Sequence, residues 1–132
     1  MKSPNGRSTV IKIDYNETRM GGPLIGRIKI EGGRAKTGER EFGEAMAFSP
    51  DSRYLAVGEL VGTTKGDAGP HSQVVVFDLD LGKEHVVHDE YGGLIHEVSW
   101  NVEGYLSVVA WRYPEGEAEH RDVWHEGHAN AS

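Results

Sequence analysis

Apolar and polar residues alternate along this chain in short stretches of period two, and no segment sustains the 3.6-residue period of a helix. Val10-Ile11-Lys12-Ile13-Asp14-Tyr15 predicts a first strand, Gly21-Gly22-Pro23 a turn, and Leu24 to Ile30 a second strand. Residues 31–41 are charged and glycine-rich, which predicts a loop. Phe42 to Phe48 then leads into Ser49-Pro50-Asp51-Ser52. This is a turn, because proline pre-sets φ and the flanking Ser and Asp side chains bond local backbone. Tyr54-Leu55-Ala56-Val57 resumes the apolar run, with Gly58 closing its densest part, and Val74 to Asp78 is β-branched and aromatic. Further strands are predicted over 84–88, 94–100 and 105–112. In the tail from Tyr113 to Ser132, the pair Val123-Trp124 suits an extra edge strand or a first helical turn. The chain reads as all-β.

One signature recurs. Aligning Phe48 with Trp100 and Tyr54-Leu55 with Tyr105-Leu106 gives a repeat of about 51 residues. The run from Phe48 to Ala56, followed by Val75-Val76-Phe77-Asp78, resembles the repeat of WD40 and TolB-like β-propellers. Ser52 and Phe77 stand where those repeats usually carry Gly and Trp, and the second copy keeps Gly104 but has Asn101-Val102 in place of Pro-Asp. The resemblance covers residues 44–111, and the length of 132 residues predicts a single domain over 1–132. Residues 44–89 would form a complete blade, 10–30 with 95–112 a second one, and 113–132 an acidic tail. The implied fold is two four-stranded antiparallel propeller-blade-like sheets packed as a sandwich, closed by the N- and C-terminal strands. Ile11–Asp14 would then share a sheet with residues 105–111. One phase of the strands, namely Phe48, Leu55, Val57, Val75, Phe77, Val98, Trp100, Leu106 and Val108, is expected in the core.

Fourteen Lys and Arg against 21 Asp and Glu give the 132 residues a formal net charge of −7. Such a surface repels nucleic acid and attracts a basic partner. The absence of cysteine removes disulfides and thiolate metal sites. No run approaches the 18 apolar residues of a membrane helix, so no membrane insertion is expected. Met1 to Arg7 is polar and lacks the apolar segment of a signal peptide. The chain as written is expected in the cytoplasm, or in the periplasm if it is a processed mature form.

His120, His125 and His128, with Glu117, Glu119, Asp122 and Glu126, carry ligand types that suit zinc or nickel. A solvated acidic tail accounts for the same letters, and neither metal nor cofactor is expected. His85 and His88 lie an odd number of residues apart, which would place them on opposite faces of a strand. No enzyme is expected. Ser72 beside His71 lacks the G-x-S-x-G elbow, and Gly62 to Gly69 lacks the Gly-Lys-Ser/Thr ending of a phosphate loop. A carboxylate pair for glycoside hydrolysis stays open. Trp100, Trp111 and Trp124 fit either sugar platforms or core packing.

The stretch Gly62 to Ser72 is long for a meander connection, and long loops on rigid sheets are where binding tends to sit. The chain therefore reads as a non-catalytic protein-binding module, with Thr63, Thr64, Lys65, Asp67, His71 and Ser72 as contact residues. A small acidic domain with blade-like sheets is similar to the immunity proteins of bacterial effector–immunity pairs. That similarity implies an inhibitor that inserts a loop into the active site of a basic effector enzyme. The alternative is a small carbohydrate- or metabolite-binding domain, or a glycosidase-like enzyme.

Overall fold

Tyr54-Leu55-Ala56-Val57 and Val74-Val75-Val76-Phe77 are apolar at every position, so the strands they form have no polar face to offer water. In the computed structural model, which describes residues 1–17, 24–63, 70–112 and 115–126, both runs lie at the centre of the molecule. The described residues form nine strands: β1 (Thr9–Glu17), β2 (Leu24–Glu31), β3 (Glu41–Phe48), β4 (Tyr54–Thr63), β5 (Pro70–Asp78), β6 (Glu84–Tyr91), β7 (Gly93–Trp100), β8 (Tyr105–Arg112) and β9 (Gly116–His125). They are arranged as a six-stranded antiparallel sheet, β1 through β6 in chain order, and a three-stranded sheet, β7-β8-β9. Among the described residues no helix is long and apolar enough to cross a membrane.

The six-stranded sheet is not one flat layer. β2 and β3 share a single register pair, Gly26 with Phe42, whereas β4 and β5 pair along their whole length. The β1–β2 hairpin is thereby free to fold over one face of the β3–β6 meander. Val10, Ile28 and Ile30 pack there into one core with Leu55, Val57, Val75 and Phe77. The opposite phase (Tyr54, Ala56, Val74 and Val76) packs against Val98, Leu106 and Val108 of the three-stranded sheet. The architecture is three layers with two cores.

This corrects the expected closure. Ile11–Asp14 do not share a sheet with residues 105–111; the N-terminal pair joins β3, and the C-terminal strands form a separate sheet. The physical reason is in β4 and β5. Two apolar faces require two covers, and a sandwich of two sheets supplies only one. Residues 116–125, expected within an acidic tail, form β9, whose Trp124 ring meets Tyr54 edge-on at 4.8 Å. Of the expected core, Leu55, Val57, Val75, Phe77, Val98, Leu106 and Val108 are buried. Phe48 and Trp100 are half-buried, and the Trp100 indole N–H donates to the Ala47 carbonyl at 2.9 Å. Ser52 adopts φ +64°, the left-handed conformation that glycine favours, and its hydroxyl accepts the Asn5 N–H at 2.9 Å.

Gly58 closes the densest apolar part of β4 and not the strand itself. It sits in mid-β4, where an added Cβ would lie 2.8 Å from Ile95 Cβ on β7. The missing side chain sets how closely the third layer approaches the second. Gly58→Ala should therefore destabilise the fold by about 1–3 kcal/mol, the usual cost of overpacking. The double variant with Ile95→Ala should regain part of that loss, and urea unfolding midpoints decide the matter.

Two carboxylates are held inside by arginines. Glu59 accepts bonds from Arg40 at 2.7 and 2.8 Å and from Gln73 at 2.8 Å, while Asp78 accepts Arg53 at 2.9 Å and the backbone N–H of Asp80 and Leu81. Burial by itself raises both pKa values, but these donors outweigh it and hold both below the ordinary carboxylate range. A depressed folded-state pKa contributes stability above the unfolded value, about 4 for these groups, and that stability disappears as pH falls through the folded value. Urea stability should accordingly drop below about pH 4. In Glu59→Gln/Asp78→Asn that acid-side drop should be shallower, with a lower plateau near neutrality.

Candidate functional site

Antiparallel connectivity brings alternate turns to the same end of the layers. One end thus collects the last residue of β4 and the first of β5, the Tyr91-Gly92-Gly93 turn between β6 and β7, and the last residue of β8 and the first of β9. Polar side chains concentrate here because the strands run past the apolar cores before they end.

On the hairpin-facing side of this end, His71 of β5 stands opposite Tyr91 of β6. Their rings stack with centroids 4.2 Å apart and planes 8° from parallel. His71 Nε2 also lies 2.9 Å from the Asp89 carboxylate, which fixes the imidazole from its edge. Tyr91 is nevertheless 72% exposed. The result is a rigid aromatic surface carried on strand backbone, with the acidic Asp89 beside it.

On the other side of the same strand ends, the side chains point into the joint between the second and third layers. Glu90 is 1% exposed. Arg112 of β8 grips it with Nε on one oxygen and Nη2 on the other, the latter at 3.1 Å. His88 Nε2 donates to the same Oε1 at 2.9 Å, and His120 Nε2 of β9 lies 3.6 Å from it. Burial by itself raises the Glu90 pKa, but Arg112 and then His88 outweigh it and hold the group below the usual range. Glu90 and Arg112 line an open cleft of about 510 Å³.

The expected contact residues fall into three groups. Thr64, Lys65 and Asp67 lie outside the described residues, and Thr63 pairs with Pro70 at the root of the connection. His71 belongs to the exposed aromatic surface. Ser72 does not: it is 2% exposed, and it borders a cavity of about 320 Å³ lined from β2, β3, β4 and β7 instead of facing outward. The cause is the two-residue period of β5, which sends neighbours His71 and Ser72 to opposite faces.

The histidines are also rearranged relative to expectation. A bulge in the β5–β6 pairing sets His85 opposite Val76 and His88 opposite Val74, so both face the third layer despite their odd spacing. His85 packs on Trp124, and His88 on His120 with ring centroids 4.4 Å apart. His120 and His125 do not come together as a tail site; His125 packs on Tyr105 and reaches the Glu103 carbonyl at 2.9 Å. His128 lies outside the described residues. Trp100 and Trp124 close around Tyr54, whereas Trp111 is 50% exposed on the outer face of the third layer.

Sequence reasoning missed Tyr91, Glu90 and Arg112. The available signal was His88-x-Glu90, two positions apart and therefore on one face, just ahead of a Tyr-Gly-Gly turn. No family model, no curated protein and no solved structure matches the chain.

The Glu90–Arg112 contact yields a direct check. Arg112→Ala leaves a buried carboxylate without its counter-charge and should lower the melting temperature. Arg112→Ala/Glu90→Gln should recover part of that loss, the non-additivity expected of two groups in contact.

Proposed function

We propose that this chain is a non-catalytic protein-binding module whose contact surface centres on the His71–Tyr91 pair and the turns around it. The observation that carries this reading is a large aromatic ring, 72% exposed, already locked by stacking at 4.2 Å. Exposed Tyr is enriched at binding hot spots, and a ring held in place before contact loses little entropy when a partner covers it. The formal charge of −7 favours a basic partner. The consecutive order of β3 to β6 is compatible with one propeller-like blade, a scaffold suited to presenting turns at its end. An inhibitor that seats a loop in the active site of an effector enzyme is one form such a binder takes. A sugar ring stacked on Tyr91 is the competing occupant, because a flat exposed aromatic suits both.

The test begins with capture of a stoichiometric protein partner and comparison of Tyr91→Ala with Trp111→Ala. Tyr91→Ala should weaken binding by about 2 kcal/mol or more, roughly 30-fold, while changing fold stability by less than about 0.5 kcal/mol. Trp111→Ala, on the outer face of the third layer, should leave affinity unchanged. Equal affinity for wild type and Tyr91→Ala would move the contact surface elsewhere. Binding of an oligosaccharide alone, lost with Tyr91, would replace the protein partner by a carbohydrate.

A further inference from the structure

The cluster behind the aromatic surface shares the end of β6 with it but has a chemistry of its own. His88, Glu90 and His120 each present one ligand atom, and these atoms lie within 4.8 Å of one another. The three residues come from strands of different sheets, β6 and β9, so their convergence is a product of layer packing and not of sequence proximity. We infer that His88 Nε2, Glu90 Oε1 and His120 Nε2 form a site for a divalent transition cation of the zinc class.

The donor set fits. Two imidazoles and one carboxylate, with a fourth position open, are the ligands of many zinc centres. Bonds of about 2.0–2.2 Å in a tetrahedron set ligand atoms about 3.3–3.6 Å apart. His120 Nε2 and Glu90 Oε1 already stand 3.6 Å apart, and His88 Nε2, at 2.9 Å from the same oxygen, needs to retreat by a few tenths of an ångström. The proton inventory fits as well. A guanidinium only donates, and Arg112 Nη2 lies 3.4 Å from His120 Nε2, so that nitrogen turns its lone pair inward. A carboxylate only accepts, so His88 Nε2 carries a proton toward Glu90, and when the cation takes that place the ring holds its proton on Nδ1 instead. The open cleft lined by Asp89, Glu90, Tyr91, Gly92, Arg112 and Glu115 gives an approach to the Glu90 side of the cluster.

Arg112 is the competing cation. Its Nη2 reaches both Glu90 Oε1 and His120 Nε2, two of the three atoms a metal needs, while its Nε holds the other carboxylate oxygen. The guanidinium thus neutralises Glu90 in the metal-free protein. On metal binding it keeps the Oε2 contact and gives up the other two, as an outer partner that orients a ligating carboxylate.

The experiment titrates the full chain with Co²⁺, followed by its visible d–d absorption, and then displaces it with Zn²⁺. One equivalent should bind to wild type and to His125→Ala. His120→Ala and Glu90→Gln should lose affinity by more than about 100-fold, beyond the 10–100-fold typical of outer-shell partners. Co²⁺ absorption that is absent from wild type, or unchanged by these two substitutions, overturns the site. Circular dichroism checks that each variant folds. Should His120→Ala unfold, ring-nitrogen NMR of the wild type decides: Zn²⁺ must shift both His88 and His120 Nε2, and unmoved resonances overturn the assignment.

Discussion

The whole arrangement depends on the two-sided burial of β4 and β5. Tyr54 through Val57 and Val74 through Phe77 are all at most 1% exposed, with Leu55, Val57, Val75 and Phe77 facing one layer and Tyr54, Ala56, Val74 and Val76 the other. Burying a side chain of this size contributes about 1.5–3 kcal/mol, so leaving either face bare would forfeit a large part of a small domain's stability. The chain meets the requirement with unlike covers. A hairpin attached through one register pair closes one face, and a separate three-stranded sheet, brought close by Gly58, closes the other.

Much of this was legible from residue order. Alternating or continuously apolar runs marked the strands through β8, the Ser49–Ser52 turn fell where expected, and Val123-Trp124 docked as part of an edge strand. What alternation could not show is which sheets cover which. A continuous apolar run has no phase, and treating Leu55 and Val57 as the core side left Tyr54 and Ala56 as the outer side, although both are buried. Of the candidate contact surface the sequence singled out His71, and of the Glu90 cluster only His120, there grouped with His125 and His128. The bulge between Val74 and Val75 that turns His88 toward His120 leaves no mark in composition, and Arg112 is 22 residues from the carboxylate it holds.

Polar chemistry gathers at one end of the molecule for the same reason that the centre excludes it. Beyond the apolar cores, β5 and β6 continue as His71-Ser72 and His88 to Tyr91, and strand periodicity divides these residues between two surfaces. Tyr91, His71 and Asp89 make a stiff aromatic and acidic patch open to solvent. Glu90 and His88 meet Arg112 and His120 in the joint between layers. The patch offers contact area at low entropic cost, while the joint holds a buried carboxylate whose counter-charge is supplied from another sheet. The two share one strand end, with Glu90 and Tyr91 adjacent on β6.

Native-state hydrogen exchange tests the two-cover architecture most directly. Amides of residues 55–57 and 74–77 should exchange only through global unfolding, at the full unfolding free energy. Amides of β1 and β2, held to β3 through one register pair, should open at lower free energy while β4 and β5 stay protected. Exchange of β4 and β5 as fast as that of β1 would contradict the account, because it would mean that the central strands are not enclosed on both faces.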